Sequence, residues 1–118
     1  MREYGFEKLL VWRESKGIAV LIYKTTQSFP SEEKYGLTNQ LRRAAISVSS
    51  NIAEGSNRTT KNDQARFYSI AYSSLMEVLS QIIISKELGF IESEQYSNIH
   101  LKIESTSNKL NALKNATK

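Results

Sequence analysis

The sequence predicts an all-α fold, an antiparallel up-down-up-down four-helix bundle. Three observations carry that prediction. Apolar residues recur at steps of three and four in four successive stretches, short breaks holding Gly, Pro and Ser separate them, and no period-two stretch bounded by turn signals appears. Helices of roughly 18 to 28 residues run about 27–42 Å, so breaks of a few residues turn each neighbour back antiparallel. The 118 residues are enough for one domain over 1–118 with its own core, without a metal or disulfide staple.

The first helix is expected over roughly 9–28, where Val11, Ser15, Ile18, Ile22, Thr25 and Phe29 form one stripe. Pro30 ends it, and Ser31 with Glu32 and Glu33 reads as the cap and acidic first turn of a second helix over roughly 32–55. Leu37, Leu41, Ala44, Val48 and Ile52 are its core stripe, and Gly55 suits a left-handed helix end. Thr60 and Asp63 resemble a capping box opening a third helix over roughly 61–88, with Tyr68, Ala71, Leu75, Val78 and Ile82 inward. Gly89 ends that helix. Ser93 is expected to cap a fourth over roughly 93–114, lined by Tyr96, Ile99, Ile103, Thr106, Leu110 and Leu113.

Helix two is unusual because Ala44, Ala45, Ser47, Ser49, Ser50, Ala53 and Gly55 make it small on nearly every side. Such smallness invites close approach by another backbone, in this chain or in a second copy. A polar stripe, Gln40, Arg43, Ser47, Asn51 and Glu54, runs along it, and helix three offers Arg66, Ser73, Glu77 and Ser80. Two readings stand side by side: solvated faces, or a structural polar seam of Arg43, Ser47, Asn51, Glu54 and Glu77 in which Arg43 meets Glu54 or Glu77. A seam of this kind specifies register more than it adds stability.

The net charge of +4 is unevenly placed. Residues 34–66 hold six basic groups against two acidic ones, and the rest of the chain holds ten of each. Arg42, Arg58, Lys61 and Arg66 are therefore the candidate nucleic-acid-binding residues, set among the hydrogen-bonding Ser56, Asn57, Thr59 and Thr60. Arg42 and Arg43 are interchangeable between surface and seam at this level. RNA and DNA are both open as partners, and so is a protein.

Conventional catalysis is not expected. With no cysteine, thiolate metal sites and cysteine nucleophiles are absent. His100 is the only histidine; Ser97 stands where a Glu-x-x-His metal motif needs its carboxylate, and Glu94, Gln95 and Tyr96 stand where an Arg–His ribonuclease pair needs its arginine. No Gly-rich phosphate loop is present, so neither cofactor nor metal is expected. No uncharged run approaches the roughly 18 residues of a membrane span, and the start of the chain carries no apolar signal core. The expectation is a cytoplasmic protein without a membrane partner.

The run Gln40-Leu41-Arg42-Arg43-Ala44-Ala45-Ile46-Ser47-Val48-Ser49-Ser50-Asn51-Ile52-Ala53-Glu54-Gly55 resembles the signature of the 23S rRNA-intervening sequence proteins. Phe6 to Leu9 with Val11-Trp12, Phe29-Pro30 through Leu37, Arg66 to Ala71 with Ser73 to Glu77, and Leu88 to Ile91 extend the resemblance over nearly the whole chain. It implies a bacterial four-helix bundle assembling as a ring, with a pentamer as the expected form. The accessory protein of diversity-generating retroelements is similar in fold, a basic pentameric barrel that works with a reverse transcriptase and nucleic acid. The family name records gene location in ribosomal RNA insertions, and it implies neither an activity nor membership of the ribosome.

Overall fold

The computed structural model describes residues 1–117, and among these it holds four α-helices: α1 (Leu10–Thr26), α2 (Leu37–Ser56), α3 (Lys61–Glu87) and α4 (Ser93–Ala116). Short 3-10 turns at Gly5–Lys8 and Ser31–Glu33 precede α1 and α2. Side-chain contacts give the packing order. Gln40 meets Gln81 and Ser47 meets Ser74 across α2 and α3. Lys86 lies over Tyr96 and Lys114 over Tyr72 across α3 and α4. Glu14 reaches Thr106 while Phe29 stacks near Phe90, and Arg42 reaches Thr26 while Leu9 shares a cleft with Ala53. In each pair the numbers rise on one helix as they fall on the other, so all four neighbouring pairs run antiparallel.

The core is the one that periodicity predicts. Ile18, Ile22, Leu41, Val48, Ile52, Leu75, Val78, Ile82, Ile99, Ile103 and Leu110 are all but fully buried, and Thr106 is buried with them. α3 carries more apolar surface than the bundle consumes. An 18-residue window in it reaches a mean hydropathy of 1.3, long and apolar enough to cross a membrane by length and composition, and only 33% of that window is buried. Ile70, Ile83, Ile84 and Leu88 stay exposed.

Three local expectations are overturned. α2 begins at Leu37 rather than near residue 32, because Ser31, Glu32 and Glu33 close a separate 3-10 turn. Glu33 nevertheless caps the helix: its Oε1 accepts from the Leu37 amide at 3.1 Å, across Gly36, where a Cβ would lie 2.9 Å from that same oxygen. Ser93 is the first residue of α4, not its cap; the preceding Glu92 amide donates to Gln95 Oε1 at 3.3 Å. Gly55 lies inside α2, and Gly89, at φ +80°, is the residue with the left-handed turn. What Gly55 provides is room. A Cβ there would sit 2.8 Å from Tyr68 Cε1 and 3.0 Å from Phe67 Cβ, so its bareness sets how closely α3 leaves α2. The Thr60 cap holds as expected, its Oγ1 accepting from the Asp63 amide at 3.2 Å.

Candidate nucleic-acid interface

The polar stripe of α2 meets α3 inside one chain. Ser47 Oγ lies 2.8 Å from Ser74 Oγ, and Asn51 Nδ2 donates back to the Ser47 carbonyl at 2.8 Å. Lower down, Gln81 Nε2 donates to Gln40 Oε1 and to Glu77 Oε2, both at 3.3 Å. Glu77 only accepts, which fixes the direction of the Gln81 amide and leaves the buried Gln81 Oε1 without a partner. The α3 side of the seam is thus Ser74 and Gln81, one residue on from the expected Ser73 and Ser80, which are exposed. Arg43 takes no part in an ion pair. It is exposed with no carboxylate within 4 Å among the described residues, because Glu54 pairs with Arg58 and Glu77 faces Gln81.

Arg42 and Arg43 exchange the roles first assigned to them. The half-buried Arg42 joins α2 to the last turn of α1, where its Nε donates to Thr26 Oγ1 at 2.9 Å and its Nη2 to the Tyr23 carbonyl at 3.3 Å. Its guanidinium also lies 4.6 Å from the Tyr23 ring centroid. A cation on the end carbonyls of a helix is electrostatically well placed, and here it holds two helices together. Arg42 is therefore spent on packing, and Arg43 is the free cation.

The remaining three candidates do converge, at the turn between α2 and α3. Arg58 and Arg66 both lie over the Phe67 ring, at 4.6 and 4.7 Å from its centroid. Each is steadied by a carboxylate: Arg58 Nη2 sits 2.7 Å from Glu54 Oε2, and Arg66 Nη2 lies 3.5 Å from Asp63 Oδ1. Gln64 Nε2 donates to the Arg58 carbonyl at 3.1 Å, which pins the turn. Lys61, the first residue of α3, is exposed beside them. The two carboxylates offset part of the charge, so the turn by itself is only modestly basic.

The fold sets a further cation nearby. The antiparallel order brings the N-terminal segment against the end of α2, where Arg2, Tyr4 and Phe6 line a cleft of about 700 Å³ with Glu54, Ser56 and Asn57. The same segment carries Glu3 and Glu7, so Arg2 reaches this end together with acidic groups. At the opposite end of the bundle Glu32, Glu33, Glu87, Glu92 and Glu94 gather around the Phe29–Phe90 contact, against Lys24, Lys34, Arg42 and Lys86, so that end is close to balanced.

His100 Nδ1 sits 3.2 Å from Glu104 on the half-exposed side of α4. Among the described residues no three His, Cys, Asp or Glu side chains are grouped to hold a metal ion.

The fold and surface define a class: a small antiparallel helical bundle with a cluster of cations at its α2–α3 turn. Residues 7–112 match the family of 23S rRNA-intervening sequence proteins, and the chain belongs to that family. It is similar in structure to a protein of unknown function from the S23 ribosomal protein family of Bacteroides thetaiotaomicron. The TM-score is 0.79 at 21% identity, over 88% of this chain and 97% of that one, which is a likeness of fold. No curated protein matches the chain.

Proposed function

We propose that this protein is a non-enzymatic, cytoplasmic homo-oligomer that binds RNA or DNA through the basic end of its bundle. The observation that carries the reading is the cluster of Arg58, Lys61 and Arg66 at the α2–α3 turn, with two guanidiniums held over Phe67. Guanidiniums oriented by carboxylates and an aromatic ring present their outer edges to phosphate oxygens. Arg2 extends the same end. Assembly multiplies the charge that one chain offers, and phosphate attraction rises with the number of cations engaged. The family resemblance implies five subunits.

Part of the small-residue stripe of α2 is used within the chain. Ala45 is buried in the core, and Ser49 and Ala53 are half-buried within the same chain. The exposed Ile46 of α2 and Ile70, Ile83, Ile84 and Leu88 of α3 are among the apolar groups open to a neighbour.

Fluorescence anisotropy with a labelled 20-nucleotide single-stranded RNA tests the reading. Affinity is expected to fall steeply as salt rises. Changing Arg58, Lys61 and Arg66 together to Ala reduces the slope of log K against log salt by about 2, as expected for three lost contacts to single strands. Arg42→Ala leaves RNA affinity in place and instead lowers unfolding stability by about 1–2 kcal/mol, since it removes two interhelical hydrogen bonds and a ring contact. Equal affinity in the triple variant and the wild type contradicts the assignment. A protein partner captured equally well after nuclease treatment supports the other reading, a protein-interaction scaffold.

A further inference from the structure

The α1–α4 side of the bundle carries a groove that neither the core nor the basic end uses. Arg13, Gly17, Val20 and Lys24 fall on one line of α1 at steps of four, three and four, and Leu101 and Lys102 face them from α4. The space between is about 690 Å³. Its apolar lining is open to solvent, with Leu101 64% and Val20 49% exposed. Its rim is cationic. Lys24 and Lys102 have no carboxylate within 4 Å among the described residues, while Arg13 donates its Nε to the Glu7 carbonyl at 2.7 Å and holds Glu3 at 3.9 Å. The one acid in the groove, Glu14, is already taken by Lys109 at 2.9 Å.

Gly17 is the independent sign that this groove is meant to be filled. Glycine in the middle of a helix costs about 1 kcal/mol relative to alanine. At Gly55 the cost has a reason within the chain. At Gly17 an added Cβ would meet nothing within 4 Å, so no intrachain contact requires it. A bare backbone position one turn from the exposed Val20 leaves room for another backbone to approach.

We infer that this groove docks an amphipathic helix of a partner protein, with an apolar stripe flanked by Asp and Glu. Two antiparallel helix walls offer the ridges that a third helix packs against, and the rim cations select acidic flanks. From Arg13 to Lys24 the groove spans about 17 Å, which suits a docked helix of about 12 residues. The inference is independent of the nucleic-acid reading, since no residue is shared with the basic end.

The probe is a fluorescein-labelled amphipathic peptide of that length with Leu at helical spacing and Glu on both flanks; its control carries Lys for each Glu. The acidic peptide is expected to bind the full chain at least roughly tenfold more tightly than the control. Lys24→Glu with Lys102→Glu reverses the order of the two peptides. Gly17→Phe weakens acidic-peptide binding at least tenfold with the far-ultraviolet circular dichroism unchanged, and Gly17→Ala, a milder filling, raises the melting temperature. Equal binding of both peptides, or binding that Gly17→Phe leaves intact, overturns the inference. Self-association that disappears in Gly17→Phe, measured by sedimentation velocity, also overturns it by assigning the groove to a second copy.

Discussion

Gly55→Ala is expected to lower unfolding stability by about 1–3 kcal/mol, the range for a methyl forced into a filled site. The opposite result is expected from helix propensity alone, which favours alanine by about 1 kcal/mol. Tertiary contact wins because the new Cβ would lie 2.8 Å from Tyr68 Cε1 and 3.0 Å from both Tyr68 Cδ1 and Phe67 Cβ. Tyr68 is 3% exposed, and a ring packed so deeply has little freedom to move aside. Relief requires α3 to shift away from α2 at its first turns, which carry Arg66 and Phe67. Urea denaturation of the wild type, Gly55→Ala and Gly55→Ala with Tyr68→Leu measures the effect. The double variant recovers part of the loss if the clash is its cause, whereas a stabilised Gly55→Ala shows that the approach is looser than described.

Glu14→Gln is expected to cost about 1–2 kcal/mol near neutral pH, as loss of charge-assisted hydrogen bonds does, and progressively less as the solution is acidified. Glu14 Oε1 accepts from Ser105 at 3.0 Å and Thr106 at 3.1 Å, while Oε2 pairs with Lys109 Nζ at 2.9 Å. Burial of this carboxyl acts to raise its pKa. The hydrogen bonds from Lys109, Ser105 and Thr106 and the lysine charge outweigh burial, so the net shift is downward from the ordinary 4.5. A pKa lowered by folding means that the carboxylate stabilises the bundle above the unfolded value, and that this contribution fades as pH falls through the folded one. Wild type and variant stabilities therefore converge on acidification below 4.5. A difference that stays constant across that range contradicts the role given to the Glu14–Lys109 pair.

The core was legible because period 3.6 is a physical constraint on any helix with one buried side. Ile18, Ile22, Leu75, Ile82, Ile99 and Ile103 fall where the stripes put them. Pro30, Thr60 and Gly89 marked three boundaries for reasons local to the backbone. The misreadings share a different cause. Gly55 at a helix end looks the same in sequence whether it supplies a left-handed turn or room for Tyr68, and only the packing partner separates the two. Ser31 and Glu32 resemble a cap, yet Glu33 reaches past Gly36 to cap a later start. Arg42 and Arg43 differ by about 100° around the helix, a rotation that decides between a clamp on Tyr23 and a free cation. The same small rotation puts Ser74 rather than Ser73 against Ser47. Arg2 joins the basic end through topology, which composition cannot express.

Phosphate is expected to meet the protein at the end of the bundle holding the α2–α3 turn. Two-dimensional amide NMR of the uniformly labelled protein, titrated with unlabelled single-stranded RNA at low salt, reads the location directly. Shifts are expected to concentrate in residues 56–67 and in the segment from Arg2 to Phe6, and to reverse when salt is raised. Shifts confined to the opposite end around Glu33, Glu87 and Glu92, or none at all, contradict that expectation.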